Sequence, residues 1–284
     1  MSRESPPPQS NRTGDEMKLK RVKEGSRPRL RDGDAARPDG LPEREVLERR
    51  MAGLSRQLSE LQARLYAESK RSLLVVFQAR DAGGKDGAIK RVFGPLNPQG
   101  SYVASFRAPT VDELAHDYLW RVHRVVPEKG YIGIFNRSHY EDVLVPRIEE
   151  LVPPKVWKRR YRQINDFERM LAENGVTILK FFLHVSRDEQ KKRFLERIDD
   201  PAKNWKFREG DIAAREKWDE YQRAYSDMIR RCSTRWAPWY VVPSDDKRVR
   251  DYLVSRMVVR TLRRMNPEFP PAEGDILTWR DRIA

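Results

Sequence analysis

The chain has one cysteine among its 284 residues, four histidines and no long apolar run. The lone Cys232 excludes an internal disulfide and any cysteine metal cluster, and it suits a reducing compartment. No stretch approaches the roughly 18 consecutive apolar residues of a membrane span. The opening MSRESPPPQSNRTGDEMKLKRVKEG has no apolar h-region, so no secretory signal is expected and the expected setting is cytoplasmic. Charge is what abounds: 57 Lys and Arg against 43 Asp and Glu leave +14. A mean hydropathy of −0.82 describes a very wet surface, yet 38% hydrophobic residues suffice for one core. Such an excess implies a polyanionic partner: nucleic acid, an anionic membrane, or a small or polymeric phosphate. Residues 1–50 hold only +3 of it, so most belongs to the part that folds and a basic DNA-binding arm is not the main story.

Residues 1–40, rich in Pro, Arg, Asp, Ser and Gly without hydrophobic periodicity, are expected to form a disordered leader. From Leu41 the pattern changes. Leu47, Met51, Leu54, Leu58, Leu61 and Leu65 make the stripe of an amphipathic helix, read as packing on its own domain ahead of a coiled-coil seam. Short apolar runs follow at 72–78, 101–107, 131–136, 176–185 and 238–243. Helical patterns lie between and after them at 111–124, 156–173, 187–198, 211–231 and 245–265. Buried strands alternating with helices predict a parallel α/β sheet covered by helices on both faces. One domain is expected over 41–270, with a C-terminal tail at 271–284.

The strongest local signal is FQARDAGGKDGAIK, residues 77–90, which leaves a buried strand and opens a helix, the context a P-loop requires. Gly83, Gly84 and Gly87 let backbone amides approach an anion at the helix N-terminus. Lys85 is placed to reach a terminal phosphate. The loop departs from the usual pattern at Ala79, where a glycine is common, and at Asp86, where Ser or Thr is. Asp81 and Asp86 flank it and would repel phosphate unless a divalent cation sat between, so Mg²⁺ is the expected cofactor. The run YIGIFNRSHYEDVLV, residues 131–145, ends a second strand in Asn136, Arg137, Ser138 and His139, then Glu141 and Asp142. Ligands sit at such strand ends. Arg137 suits bidentate phosphate binding, Glu141 is a candidate metal ligand beside Asp81, and His139 is read as a polar contact in preference to a base.

Together FQARDAGGKDGAIK, GIFNRSHYEDVLV, DDPAKNWKF and WAPWYVVPSDDK, in this order, resemble the polyphosphate kinase 2 family over residues 41–270. The resemblance implies a thymidylate-kinase-like P-loop fold with a helical lid. It also implies transfer of a terminal phosphoryl group, with Mg²⁺, between inorganic polyphosphate and a nucleoside mono- or diphosphate. It implies a homo-oligomer, and neither a membrane nor a nucleic acid as partner. Catalysis is then expected from Asp81, Lys85 and Arg137, with Asp86 among the phosphate-loop contacts. The lid is expected near 187–215, where Arg193 and Arg197 share a helix face and Lys206 and Arg208 sit among aromatics; these four are the candidate polyphosphate cations. KVWKRRYR at 155–162 is either a channel lining or a solvated face. The nucleotide is expected near Arg107, Thr110 and Asn136, although Thr110 with Glu113 also reads as a capping box. Trp236, Trp239 and Tyr240 read as core before base-stacking. An ATP-dependent nucleoside monophosphate kinase and a basic nucleic-acid-binding domain are the rival readings; no helix-turn-helix, zinc or RNP-like pattern favours the latter.

Overall fold

The computed structural model describes residues 19–28, 30–274 and 276–283. The run Ser72–Ala79 is apolar enough to be buried along its whole length, and it forms the central strand β1. With β2 (Ser101–Ser105), β3 (Ile132–Asn136), β4 (Val176–His184) and β5 (Trp239–Pro243) it makes a five-stranded sheet in the order β2-β3-β1-β4-β5. Every pairing is parallel. Because the order reverses at β1, the loops leaving β1 and β3 lie side by side at the carboxyl edge, where open α/β sheets hold ligands.

The helices segregate by face. On one side α1 (Arg44–Glu68), α2 (Lys85–Phe93) and α10 (Lys247–Met265) close a core with Leu73, Val75, Phe77 and Phe181. On the other, α5 (Glu141–Ile148), α6 (Pro154–Glu173) and α9 (Trp218–Cys232) cover Leu74, Val76, Phe135 and Phe182. Of the remaining helices, α3 (Val111–Leu114), α4 (Trp120–His123), α7 (Arg187–Asp199) and α8 (Glu209–Glu216) sit on connections at the margins, and the single turn α11 (Arg280–Ile283) follows α10. The α1 stripe is spent inside the chain: Leu47, Met51, Leu58 and Leu65 are buried and Leu54 and Leu61 pack beside them. Trp239 and Tyr240 are core, and the half-buried Trp236 packs against the same layer.

Three expectations need correcting. The expected leader is not separate from the domain over its described part. Leu19, Leu30 and Ala35 are buried, Val22 N–H donates to Trp239 O at 2.9 Å, and Arg21 bridges Tyr240 antiparallel along the free edge of β5. Pairing with a sheet edge needs backbone, not apolar periodicity, so the pattern carried no sign of it; residues 1–18 lie outside the described part. The helix expected at 111–124 is two single turns, α3 and α4, since Val111 and Leu114 find no core and stay exposed. The helix expected at 211–231 is α8 and α9, separated at Lys217. The helix α5 has no counterpart among the expected helical spans; Pro146 lies inside it.

Candidate active site

Between β1 and α2 the chain turns through residues 80–84, with left-handed backbone at Ala82 (φ 57°) and Gly84 (φ 96°). The turn is oriented by its carbonyls. Ala79 O accepts from Lys85 Nζ at 2.9 Å and from Tyr225 Oη at 3.2 Å. Asp81 O accepts from Gln190 Nε2 at 2.9 Å, Ala82 O from Arg193 Nη1 at 2.9 Å and Gly83 O from Ser244 Oγ at 2.7 Å. With the carbonyls taken up by α7, α9 and the loop after β5, the first amides of α2, which a helix cannot pair internally, are the donors left for an anion. Gly83 has no room for a side chain: a Cβ there would meet Ala79 Cβ at 2.7 Å and Arg80 O at 2.8 Å. Lys85 is buried under this turn. Burial, with a further push from the like charge of Arg137, brings its ammonium down to about 8 against the pull of Asp81, Glu141 and Asp86.

The register of β3 on β1 puts Asn136 opposite Phe77, so the loop after β3 adjoins the phosphate loop. Arg137 takes a left-handed conformation, φ 63°, and its N–H donates to Phe77 O at 3.1 Å. Its guanidinium spans two carboxylates, Nη2 to Asp81 Oδ1 at 2.7 Å and Nη1 to Glu141 Oε2 at 3.3 Å. The Glu141 charge outweighs burial and, with Asp81, holds Arg137 above the ordinary arginine value. Asn136 Nδ2 donates to Asp86 Oδ1 at 2.8 Å. The structure therefore brings Asp81, Lys85, Asp86, Asn136, Arg137 and Glu141 together. Phosphoryl transfer generally needs a divalent cation. Among the described residues no group of three or more His, Cys, Asp or Glu is arranged as a metal cage. Asp81 and Glu141, both paired with Arg137 here, are of the chemistry a hard ion takes when it completes its shell with phosphate oxygens and water.

The turn after Arg137 rests on a buried polar cluster. His139, Glu168 and Lys180 are wholly buried. Lys180 Nζ donates to Glu168 Oε2 at 2.6 Å, to Tyr140 Oη at 2.6 Å and to Cys232 O at 2.8 Å. Glu168 Oε1 accepts from Tyr140 Oη at 2.8 Å and lies 3.1 Å from His139 Nε2. Burial pulls Lys180 down from its ordinary value. It would raise Glu168, but Lys180 and His139 together hold that carboxyl below its usual range. His139 is thus a structural contact.

Other expected site residues fare differently. Arg193, expected on polyphosphate, is buried and committed to Glu189 Oε1 at 2.8 Å, Ala82 O, and Ser244 O at 2.6 Å. With Gln190 it ties the first half of α7 to the phosphate loop. Further along, Arg197 stacks on Phe194 at 5.7 Å and Lys206 on the exposed Trp205 at 5.1 Å, while Arg208 precedes α8 and is exposed. Thr110 Oγ1 is taken by the Glu113 N–H at 3.2 Å, and Glu113 Oε2 returns to the Thr110 N–H at 2.9 Å, a complete capping box. Arg107 is exposed, and its carbonyl accepts from the buried Arg121, which also pairs with Glu113 and Asp142. In KVWKRRYR, Arg160 donates to Asp142 O at 2.7 Å while Lys155, Lys158, Arg159 and Arg162 are exposed. Gln190, Tyr225 and Ser244 had no sequence signal; each works through a contact more than 100 residues away.

The family model for polyphosphate kinase 2 matches residues 42–270. The chain belongs to the polyphosphate kinase 2 family. This kinase is 57% identical over 223 residues to the AMP/ADP-polyphosphate phosphotransferase of Meiothermus ruber, covering 78% of this chain and 84% of that one. It is 46% identical to the ADP-polyphosphate phosphotransferase of Rhodopseudomonas palustris, covering 75% and 78%. The crystal structure of polyphosphate kinase 2 from Arthrobacter aurescens superimposes with a TM-score of 0.83 at 37% identity, covering 94% of this chain and 98% of that one. Membership makes the chain a polyphosphate-dependent nucleotide kinase and decides among the three functional readings of the sequence. No helix of the described residues is long and apolar enough to cross a membrane.

Proposed function

We propose that this kinase transfers the terminal phosphoryl group of inorganic polyphosphate to both AMP and ADP, reversibly, with Mg²⁺. What supports the reading is the meeting of Lys85, Arg137 and Asp81 at the carboxyl edge, in a chain 57% identical to an enzyme named for both acceptors. Amides at the start of α2 and Lys85 hold the donor's terminal phosphates. Arg137, delocalised and permanently charged, spreads its guanidinium over the group in transfer. Asp81 and Glu141 would hold the Mg²⁺, which supplies charge neutralisation between phosphates. A nucleotide phosphate is largely ionised at neutral pH, so the protein positions and neutralises rather than removing a proton. Arg197, Lys206 and Arg208 lie along the donor chain, and the acceptor nucleotide enters near Arg107, Thr110 and Asn136. We place the enzyme in the cytoplasm, in keeping with its single free, buried thiol.

The test is ATP formation from ADP, long-chain polyphosphate and Mg²⁺, with AMP in a parallel arm. Product in both arms that vanishes without polyphosphate is expected. ATP-dependent phosphorylation of AMP with no use of polyphosphate would sink the proposal. A second expectation follows from Lys85. The free enzyme loses its proton through about pH 8, and a bound polyanion favours the charged form. Tripolyphosphate binding at pH 9, followed by calorimetry in buffers of different ionisation enthalpy, should therefore take up close to one proton. At pH 7 uptake from this group should be slight, and Lys85→Met should abolish it at pH 9.

A further inference from the structure

Nothing in the sequence reading or the relatives' names assigns a role to Arg250. It lies in the first turn of α10, is almost fully buried, and projects beneath the phosphate loop. A Cβ placed on Gly84 would collide with Arg250 Nη1 and stand 3.2 Å from its Cζ; one on Gly87 would stand 3.3 Å from Nη2. Gly84 is the N-cap of α2 and Gly87 belongs to its first turn, so the guanidinium runs beside the positive end of that helix. Arg193 Nη1 comes within 3.5 Å of the same Cβ position. Asp251 Oδ1 holds Arg250 from the side, at 2.8 Å from Nε and 2.7 Å from Nη2.

A cation beside a helix N-terminus is unfavourable unless an anion is shared between them. Here two buried guanidinium groups and the ammonium of Lys85 converge on one helix start; Asp251 pairs with Arg250 and Glu189 with Arg193. Burial lowers the Arg250 pKa, Asp251 pulls it up and Arg193 pushes it down further, consistent with charge held there at a cost.

We propose that Arg250 is a positioning residue of the phosphate loop, fixing the Gly84–Gly87 turn from behind and raising its positive potential so that it sets the affinity for donor phosphates. It touches no phosphate itself. The role rests on the phosphate-transfer reading above. Removing its charge should weaken binding of donor more than it slows the bound complex.

The experiment measures tripolyphosphate binding by calorimetry, KM for polyphosphate, kcat and melting temperature in wild type, Arg250→Met, Arg250→Lys and Asp251→Asn. Arg250→Met is expected to weaken tripolyphosphate binding and raise KM about 10-fold or more, with kcat at saturation changed by less than about 3-fold. Arg250→Lys should regain most of the affinity. Asp251→Asn, which removes the compensating charge, should bind tripolyphosphate at least as tightly as wild type. Wild-type affinity and KM in Arg250→Met, or equal losses in the Met and Lys variants, would overturn the proposal. If Arg250→Met does not fold, the other two decide: weakened binding in Asp251→Asn, or none of the affinity kept in Arg250→Lys, defeats it. A wild-type enzyme that binds no tripolyphosphate would instead fail the proposed function itself.

Discussion

Lys85→Ala should lower turnover by about 10³-fold with polyphosphate as donor while the protein still folds. The ammonium lies buried under the turn and donates to two backbone carbonyls, Ala79 O at 2.9 Å and Arg80 O at 3.4 Å. Both carbonyls keep another donor after truncation, Tyr225 Oη and the Gly83 N–H respectively. The loop therefore keeps its shape, and what is lost is charge facing phosphate. The pH dependence of stability gives an independent check. A folded-state pKa near 8 lies below the ordinary lysine value of 10.5. The unfolded chain therefore binds more protons across that window, and this group makes wild-type stability rise with pH there. In Lys85→Ala that contribution should disappear. Melting curves between pH 7.5 and 10.5 measure it, and turnover within a few-fold of wild type would overturn the assignment of Lys85.

The largest effect on stability is expected from Lys180→Met. Removing one member of a buried ion pair leaves its partner charged in the interior, a loss of about 3–5 kcal/mol. Glu168 would retain only His139 and Tyr140, and the Cys232 carbonyl would lose its donor. For a chain of this size the loss corresponds to a drop in melting temperature of roughly 6–20 °C. Lys180→Met with Glu168→Gln removes both charges and should be less damaging than the two single changes added together. Additive losses in that cycle would mean that the pair is not coupled. Because His139 and Tyr140 directly follow the Arg137 turn, the single variant should also lose activity at temperatures well below its melting point.

What could be read in advance follows the range of the physics. Strands buried on both faces announce themselves as continuous apolar runs, and each of the five lies within two residues of its expected span at either end. The phosphate loop and the β3 strand end are contiguous segments, so their residues are legible as motifs, and parallel pairing of β1 with β3 brings them together. Thr110 and Glu113 are also local, three residues apart, and their capping box forms as read. Legibility fails where a side chain serves a distant backbone. Arg193 looks like a free lid cation because its spacing to Arg197 is visible and its carbonyl acceptors at Ala82 and Ser244 are not. Arg250 carries no motif, and its guanidinium meets Gly84 and Gly87 only through a fold that brings α10 to the start of α2. Residues 19–28 and 30–40 pack through backbone pairing and single apolar anchors, which leave no period to detect.

The carbonyl anchoring of the phosphate loop also sets when the protein can begin to work during its synthesis. Ser244, which takes the Gly83 carbonyl, lies 161 residues downstream of it, and Arg250 comes later still. The loop leaves the ribosome long before the segments that hold its shape, and domains generally complete folding as units. A nascent or prematurely terminated chain ending before Ser244 therefore carries every residue of the phosphate motif and still lacks the hydroxyl that takes the Gly83 carbonyl. Such fragments should not draw on the cell's phosphate pool, and competence arrives only as the last long helix docks.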